Sequence, residues 1–261
     1  MAAYPWRDVM ITGATGGLGR ALAEACAAPG VTLHLSGRDA ARLDQVAAAC
    51  VARGAAVSPA VLDVTDQAGM ADWVAGAGRL DLVVANAGVS GGTGGQTEPA
   101  DQVQRIFATN LGGVLNTALP AMELMAAQAP GEGGVRGRIA VIASIAAFVA
   151  APGAPAYCAS KSAVQRWAEA LDASEKARGI RLHAVCPGYI RTAMTARNPF
   201  PMPLLMTPER AAARTLAGIA AGRVRVAYPR RLYAVARVVG ALPPSWRNAM
   251  MSVVPAKPRE G

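Results

Sequence analysis

The sequence predicts a single α/β domain built on a parallel sheet of about seven strands, with helices on both faces. Short apolar runs rich in β-branched residues alternate along the chain with longer stretches of helical periodicity. The apolar runs are nearly continuous, which is typical of strands buried on both faces. Strands joined through helices form right-handed βαβ units, so we expect a Rossmann-like, doubly wound sheet.

The predicted elements follow one another without a break in composition. The strands are Asp8–Thr12, Val31–Ser36, Ala55–Leu62, Leu80–Ala85, Arg138–Ala143, Ile180–Cys186 and Arg223–Tyr228. The helical stretches are Leu18–Ala28, Ala40–Arg53, Gln67–Gly76, Asp101–Ala126, Ala156–Arg178 and Pro208–Ala221. No linker rich in Pro, Gly or Ser separates them, so one domain is expected.

Composition excludes several classes of protein. Hydrophobic residues make up 52% of the chain and charged residues 16%, which excludes extensive disorder. The four cysteines form no C-x-x-C pair and the first residues lack the apolar stretch of a signal peptide, so we expect a cytoplasmic protein with reduced thiols. His34 and His183 are far apart, and no metal site is predicted. No run reaches the roughly 18 apolar residues of a membrane span.

A glycine-rich turn follows the first predicted strand and leads into a helix. It reads Gly13-Ala14-Thr15-Gly16-Gly17-Leu18-Gly19. Glycine allows positive φ and lets a bound group approach the backbone, and the N–H groups at a helix start suit a pyrophosphate. Close packing can also require glycine, but the position after the first strand favours a dinucleotide site.

The end of the second strand reads Ser36-Gly37-Arg38, where NAD-specific folds usually carry an acid for the ribose 2′-hydroxyl. A guanidinium instead binds phosphate through two parallel hydrogen bonds. Arg38 therefore favours NADP(H) over NAD(H), and a solvated surface charge is the alternative. Asp39 is predicted to cap the next helix.

Tyr157 and Lys161 stand four residues apart in a predicted helix and so share one face. A phenol has a pKa of about 10, and a fixed ammonium beside it lowers that value toward the range useful for proton transfer. This spacing alone is common on helix surfaces. Ser144 after the fifth strand and Asn110 in the preceding helix strengthen the case, because a hydroxyl can bind a substrate oxygen and a buried amide can hold a water.

In this combination the sequence closely resembles the short-chain dehydrogenase/reductase family over roughly residues 8–228. The matching residues are Thr12-Gly13-x-x-x-Gly17-x-Gly19, Asn86-Ala87-Gly88, Asn110, Ser144, Tyr157-x-x-x-Lys161 and Pro187-Gly188. The resemblance implies that Tyr157 is the general acid/base and that Lys161 lowers its pKa and binds the nicotinamide ribose. It also implies that Ser144 orients the carbonyl and that Asn110 supports a water-linked proton relay.

The same resemblance implies the cofactor contacts. Asp63 and Val64 would contact adenine, and Asn86, Ala87 and Gly88 would shape the floor of the site. The residues that would close over the nicotinamide are Pro187, Gly188, Ile190 and Thr192. Residues 1–228 are thus expected to form a dinucleotide-binding catalytic domain and residues 229–261 a basic amphipathic extension of it.

The favoured function is NADP(H)-dependent oxidoreduction between a carbonyl and a secondary alcohol. The alternative is a non-catalytic NADP-binding sensor or scaffold of the same fold, which has no physical need for a tuned phenol. The apolar segment Ala193–Met206 lies where this family covers its substrate. A hydrophobic or amphipathic small-molecule substrate is therefore expected.

The net charge of +9 lies in the last fifth of the chain. Residues 1–209 contain 16 basic and 16 acidic residues, whereas residues 210–261 contain ten basic residues and one acid. After the last strand, amphipathic patterns run from Arg230 to Leu242 and over Ser245–Val254, separated by two prolines.

This basic segment leaves three roles open. It suits peripheral contact with an anionic membrane. It equally suits packing over the substrate cleft or against another subunit, and we expect a homo-oligomer, a dimer or tetramer. No nucleic-acid partner is expected, because the segment lacks a surface of interleaved aromatic residues.

Overall fold

The computed structural model describes residues 4–196, 198, 200–251 and 256–259. Its seven strands are β1 (Asp8–Ile11), β2 (Thr32–Gly37), β3 (Ala56–Val61), β4 (Leu82–Ala85), β5 (Gly137–Ile142), β6 (Ile180–Pro187) and β7 (Arg225–Tyr228). They form one parallel sheet in the order β3-β2-β1-β4-β5-β6-β7. The prediction of a doubly wound parallel sheet is confirmed.

Helices cover both faces of the sheet, as predicted. They are α1 (Gly17–Cys26), α2 (Ala40–Val51), α3 (Gln67–Ala75), α4 (Ala100–Phe107), α5 (Gly113–Ala127), α6 (Pro155–Glu175), α7 (Ala193–Ala196), α8 (Pro208–Ala220), α9 (Arg230–Ala241) and α10 (Pro244–Met251). Helices α1, α2 and α8 pack on one face, and α3, α5 and α6 pack on the other.

The inner strands are largely apolar because successive side chains enter different cores, whereas the edge strand β3 is mostly exposed. Val9 and Ile11 of β1 pack with α1, α2 and α8, whereas Met10 between them packs with the helices of the other face. Leu82 and Val83 of β4 divide in the same way. Side chains of a strand alternate between the two faces, so a strand covered on both sides needs apolar residues at every position.

Short polar side chains begin several of the helices. Asp39 accepts a hydrogen bond from the backbone N–H of Arg42 (3.0 Å) at the start of α2, which confirms the predicted cap. Asp66 caps α3 and Thr207 caps α8 in the same manner. Such caps satisfy N–H groups that have no partner inside the helix.

The predicted continuous helix Asp101–Ala126 is wrong in one respect. A π-helical turn, Ala108–Gly112, separates α4 from α5. The fully buried Asn110 lies in this turn, and its side chain accepts a hydrogen bond from the N–H of Val89 (2.8 Å) and donates one to the carbonyl of the same residue (3.0 Å). Turns of this kind often occur at functional sites.

The basic extension forms α9 and α10, and the next residues of it that the structure describes are 256–259. The predicted second helix, Ser245–Val254, is described as Pro244–Met251, and residues 252–254 lie outside the described residues. Val238 (66% exposed) and Trp246 (67% exposed) leave apolar surface uncovered on these helices. Contact of this surface with a membrane or a second subunit stays a prediction.

Three further features follow from the described part of the chain. No helix in it combines the length and the apolar content needed to cross a bilayer. Its histidine, cysteine and acidic side chains do not gather into a group of three or more that could hold a metal ion. The four cysteines are all buried and unpaired.

Asp172→Asn is expected to lower the free energy of unfolding by about 3 kcal/mol, because it leaves Arg181 with no counter-charge. Asp172, nearly fully buried on α6, accepts hydrogen bonds from Arg181 (2.9 and 3.2 Å) and from the N–H of Leu182 (2.9 Å). Urea unfolding measures the loss. Glu123→Gln is the control, since Glu123 pairs with Arg178 at an exposed position (3.5 Å) and should contribute little. Equal losses in both variants would contradict the assignment.

Candidate active site

A groove opens at the carboxyl ends of β1 and β4, where the strand order reverses. Ligands of open α/β sheets bind at this position because the connections on either side run to opposite faces. The cavity has a volume of about 320 Å³. Every predicted site residue except Asn110 lines it, namely Gly13, Thr15, Gly16, Gly17, Leu18, Gly19, Arg38, Asp63, Val64, Asn86, Ala87, Gly88, Ser144, Tyr157, Lys161, Pro187, Gly188, Ile190 and Thr192.

Gly13 and Gly17 of the glycine-rich turn leave no room for side chains at their positions. Gly13 has a φ of +62°, and a Cβ there would lie 2.9 Å from Cα of Ala87. A Cβ at Gly17 would lie 2.6 Å from Cγ2 of Thr192. Helix α1 begins at Gly17, so its N-terminal end, with a partial positive charge, borders the cavity.

Thr12 and Asn86 join the ends of β1 and β4. The Thr12 hydroxyl accepts hydrogen bonds from the N–H groups of Asn86 (3.0 Å) and Ala87 (3.1 Å). In return the Asn86 amide donates to the carbonyls of Thr12 (2.9 Å) and Gly13 (3.1 Å). Asn86 thus fixes the glycine-rich turn against β4, a role that the sequence analysis did not assign to it.

Arg38 and Asp63 lie together at the rim of the cavity, 3.5 Å apart and both substantially exposed. Partial burial acts to raise the pKa of Asp63, but hydrogen bonds from Thr65 and the charge of Arg38 hold it below its ordinary value. The sequence analysis did not foresee this pair. An exposed pair of this kind is weak, so the guanidinium can also turn to a bound phosphate.

Tyr157 lies in the first turn of α6, and Ser144 lies two residues after the end of β5. Burial of the Tyr157 hydroxyl raises its pKa to about 12, and the neighbouring Ser144 hydroxyl offsets part of this effect. Ser144 also accepts a hydrogen bond from the N–H of Ala146 (3.1 Å), which fixes its position. Both hydroxyls line the cavity.

Lys161 follows Tyr157 by one helical turn, as the spacing predicts. Its buried ammonium donates to the carbonyl of Ile142 (2.8 Å) and lies 6.0 Å from the centroid of the Tyr157 ring. Burial lowers the pKa of Lys161 to about 8. Lys161 was expected to lower the pKa of Tyr157. In the protein without cofactor, burial of the phenol has the larger effect, and the pKa of Tyr157 is raised.

Asn110 lies beneath the cavity instead of lining it. Its amide donates to the hydroxyl of Ser160 (3.1 Å), which in turn donates to the carbonyl of Tyr157 (2.9 Å). Together with its bonds to Val89, Asn110 connects the loop after β4 to α6. A Cβ at Gly88 would lie 3.1 Å from Oδ1 of Asn110 and 3.3 Å from Nζ of Lys161, so a side chain there would press on both groups.

An acidic side chain from the loop before α4 holds the start of α6. The carboxylate of Glu98 accepts a hydrogen bond from the N–H of Ala156 (3.1 Å) and another from the amide of Gln102 (2.9 Å). Ala156 directly precedes Tyr157, so this bond fixes the backbone beside the phenol. No local pattern in the sequence predicts this role of Glu98, because only the fold brings it to α6.

A family model described as short chain dehydrogenase matches residues 7–200. An "Uncharacterized oxidoreductase" of Myxococcus xanthus (strain DK1622) is 34% identical over 247 residues, which cover 93% of this chain and 95% of that protein. The chain belongs to the short-chain dehydrogenase family.

Two solved structures of this family are similar throughout their length. A short-chain dehydrogenase from Sphingobium yanoikuyae in complex with NADPH is 26% identical, with a TM-score of 0.78, over 95% of this chain and 96% of that one. A short chain dehydrogenase/reductase from Burkholderia phymatum in complex with NAD is 23% identical, with a TM-score of 0.81, over the whole of both chains. At the latter identity the likeness shows the fold.

Several residues that line the cavity of this short-chain dehydrogenase were not predicted from the sequence. They are Gly37, Leu62, Val89, Thr109, Ile142, Ala143, Ala193, Met194 and Thr195. The prediction did place the segment Ala193–Met206 over the substrate, but it did not single out α7. Met206 is instead buried in the core and pairs with Ile190, so it does not line the cavity.

Residues 256–259, called the strap below, also lie beside the site. The N–H of Gly94 donates to the carbonyl of Lys257 (2.9 Å), and Arg259 donates to the side chain of Gln96 (2.8 Å) and the carbonyl of Thr97 (3.2 Å). The strap thus docks on the loop between β4 and α4. Packing over the substrate cleft was one of the roles that the sequence left open for the basic extension, and it stays a prediction.

The phenol of Tyr157 is expected to stay protonated at about pH 10 in the protein without cofactor, because burial raises its pKa to about 12. NMR of protein labelled with ¹³C at tyrosine Cζ measures this directly, and the Tyr157 signal is assigned by its loss in Tyr157→Phe. Free tyrosine in the same buffer is the control. Titration of the Tyr157 signal together with free tyrosine would refute the desolvation argument.

Proposed function

We propose that this chain is an NADP(H)-dependent carbonyl reductase and secondary-alcohol dehydrogenase in which Tyr157 transfers the proton. The observation that carries the proposal is that Tyr157 and Ser144 line the same cavity as the glycine-rich turn. A proton-transferring hydroxyl and a phosphate-binding helix end thereby share one groove. Membership of an oxidoreductase family supports the same class of reaction.

The groove fits a nicotinamide dinucleotide. The turn around Gly13 and the N-terminal end of α1 would hold the pyrophosphate, and Asp63 and Val64 would border the adenine. Lys161 would bind the nicotinamide ribose, and Pro187, Gly188, Ile190 and Thr192 would enclose the nicotinamide. When bound, this cofactor supplies a hydride to the substrate carbon or accepts one from it. The similarity to the Sphingobium yanoikuyae enzyme, solved with NADPH, supports a cofactor of this class.

Arg38 is the basis for proposing NADP(H) over NAD(H). Its guanidinium lines the rim of the cavity at the end of β2, where a ribose 2′-phosphate would lie. Asp63 is its partner in the polypeptide, but this pair is exposed and weak. A phosphate dianion offers the guanidinium a stronger, bidentate partner. Preference for NADP(H) favours reduction as the physiological direction.

In the reducing direction, Tyr157 donates its hydroxyl proton to the carbonyl oxygen of the substrate. The raised pKa keeps this group in the neutral form that can donate. Ser144 donates a hydrogen bond to the same oxygen and so orients the carbonyl. The Lys161 ammonium, held by the carbonyl of Ile142, stabilises the phenolate that remains. In the net reaction the C=O double bond becomes a C–O single bond, while one C–H bond and one O–H bond form. The product is a secondary alcohol.

Asn110 is proposed to act without contacting the substrate. It holds the Val89 segment and Ser160, and through Ser160 the backbone of Tyr157. A water retained beside Asn110 would return a proton to Tyr157 after each turnover. The substrate is proposed to be hydrophobic or amphipathic, because Met194, Val89 and Ile142 line the cavity.

The competing proposal is an NADP-binding sensor or scaffold without turnover. Its function would need the glycine-rich turn and Arg38, but not a phenol and an ammonium directed at one cavity. The cost of burying Lys161 without a carboxylate partner within 4.0 Å in the described residues favours the enzyme.

Tyr157→Phe is expected to lower kcat for ketone reduction by at least about 10²-fold, because the proton donor is lost while the ring remains. NADPH binding, followed by cofactor fluorescence, should persist. Tyr4→Phe is the control, since Tyr4 stacks on Trp6 far from the groove (centroids 5.4 Å apart). Wild-type activity in Tyr157→Phe would remove Tyr157 from the mechanism, and no turnover of any ketone by the wild type would favour the sensor.

Arg38→Gln is expected to raise KM for NADPH by about 10- to 100-fold and to change KM for NADH little, because a charged hydrogen bond to the 2′-phosphate is lost. Steady-state kinetics with each cofactor measure the two values. Arg42→Gln is the control, since Arg42 is an equally exposed arginine that pairs with Asp39 (3.3 Å). Similar changes for both cofactors would show that Arg38 does not read the phosphate.

A further inference from the structure

The strap is seated in a surface that glycines open for it. A Cβ at Gly92 would overlap the backbone of Lys257, and a Cβ at Gly153 would lie 3.0 Å from Cα of Ala256. These two glycines belong to the loops after β4 and β5, which are joined by a hydrogen bond from the N–H of Thr93 to the carbonyl of Gly153 (3.0 Å). Gly92 and Gly153 therefore have a structural purpose, because a side chain at either position would collide with the strap.

The seated strap brings a second ammonium to the catalytic tyrosine. Nζ of Lys257 lies 4.9 Å from the centroid of the Tyr157 ring, closer than Nζ of Lys161 at 6.0 Å. Lys257 reaches the side of the ring that the loop after β4 borders, where it donates a hydrogen bond to the hydroxyl of Ser90. Lys161 is instead fixed by the carbonyl of Ile142.

Lys257 lacks a counter-ion within the described residues. No carboxylate among them lies within 4.0 Å of its Nζ. Glu98, the acid of the adjoining loop, is engaged by the N–H of Ala156 and the amide of Gln102. An ammonium has three donors, and the hydroxyl of Ser90 occupies one of them. Burial lowers the pKa of Lys257 to about 8, which still leaves it charged at neutral pH. Because burying a charge is costly, an anionic acceptor would stabilise this ammonium.

We propose that Lys257 recognises a carboxylate carried by the carbonyl substrate, so that the substrates are amphipathic oxo acids and the corresponding hydroxy acids. Lys257 lies outside the lining of the groove itself, but its ammonium lies against the Tyr157 ring that carries the proton-donating hydroxyl. A molecule with a carbonyl at that hydroxyl and a carboxylate that reaches past the ring can engage both groups. An apolar remainder fits the side of the cavity that Met194 lines. This inference rests on the proposed reductase function and specifies its substrate class.

The test compares linear oxo acids of increasing spacing with their methyl esters, using NADPH and the full chain. Wild type is expected to prefer the acid of at least one pair. Lys257→Met should raise KM for that acid by about 10- to 100-fold with a smaller change in kcat, because a charged hydrogen bond in the bound state is lost. The ester should change by less than about threefold. Lys257→Arg should restore part of the preference, since the charge is kept.

Two controls separate recognition from structure. Lys176→Met removes an exposed lysine after α6 and should leave both substrates unaffected. Gly153→Ala places a Cβ whose three nearest atoms belong to Ala256 and Lys257, so it should shift the strap and reproduce part of the selective loss for the acid, whereas Gly76→Ala, at the end of α3, should not. Equal losses for acid and ester in Lys257→Met would overturn the proposal, because Lys257 would then act on Tyr157 or on the fold. A wild type that prefers every ester would overturn it as well.

A binding experiment distinguishes failure of this inference from failure of the proposed function. Hexanoate, which has no carbonyl to reduce, is titrated calorimetrically into the protein–NADPH complex, with hexanamide as the neutral control. Binding of hexanoate that weakens at least about tenfold in Lys257→Met supports the anion site even if no ketone is reduced. Equal affinity of wild type and Lys257→Met for hexanoate, or absence of binding to both, would refute the site even if the esters are good substrates.

Discussion

The hydrogen bonds between the ends of β1 and β4 are the constraint on which the site depends. The sheet reverses its strand order there, so the connections diverge and a groove is left between them. Thr12 and Asn86 tie the two strand ends through four hydrogen bonds, and this fixes the glycine-rich turn without using any side chain of the turn itself. The backbone of the turn therefore stays open to the cavity.

The second constraint is electrostatic. Tyr157 is desolvated, which favours its neutral form, and two ammonium groups lie near its ring. Neither Lys161 nor Lys257 has a carboxylate within 4.0 Å in the described part of the chain. The positive potential is thus not neutralised locally and acts on whatever enters the groove, which suits an anionic cofactor and, as proposed, an anionic substrate.

How far the sequence could predict this arrangement depended on the range of each interaction. The cap at Asp39, the turn at Gly13 and the shared face of Tyr157 and Lys161 involve neighbours within a few residues, so spacing revealed them. The π-helical turn at Asn110 was missed because the partner that Asn110 binds from this turn, Val89, lies 21 residues away in the chain. The pairing of Arg38 with Asp63 escaped for the same reason.

The sequence by itself determined the class of fold, the order of the strands and helices, and the residue types at the proposed catalytic positions, because periodicity and local turns encode these directly. Tertiary structure decided which charges meet. It moved Asn110 out of the cavity lining, placed Glu98 at the start of α6, and laid the strap on the glycine-rich loop, where Lys257 approaches Tyr157 across 100 residues of chain. Such contacts form when packing of the core brings distant parts of the chain together. No local pattern in the sequence predicts them.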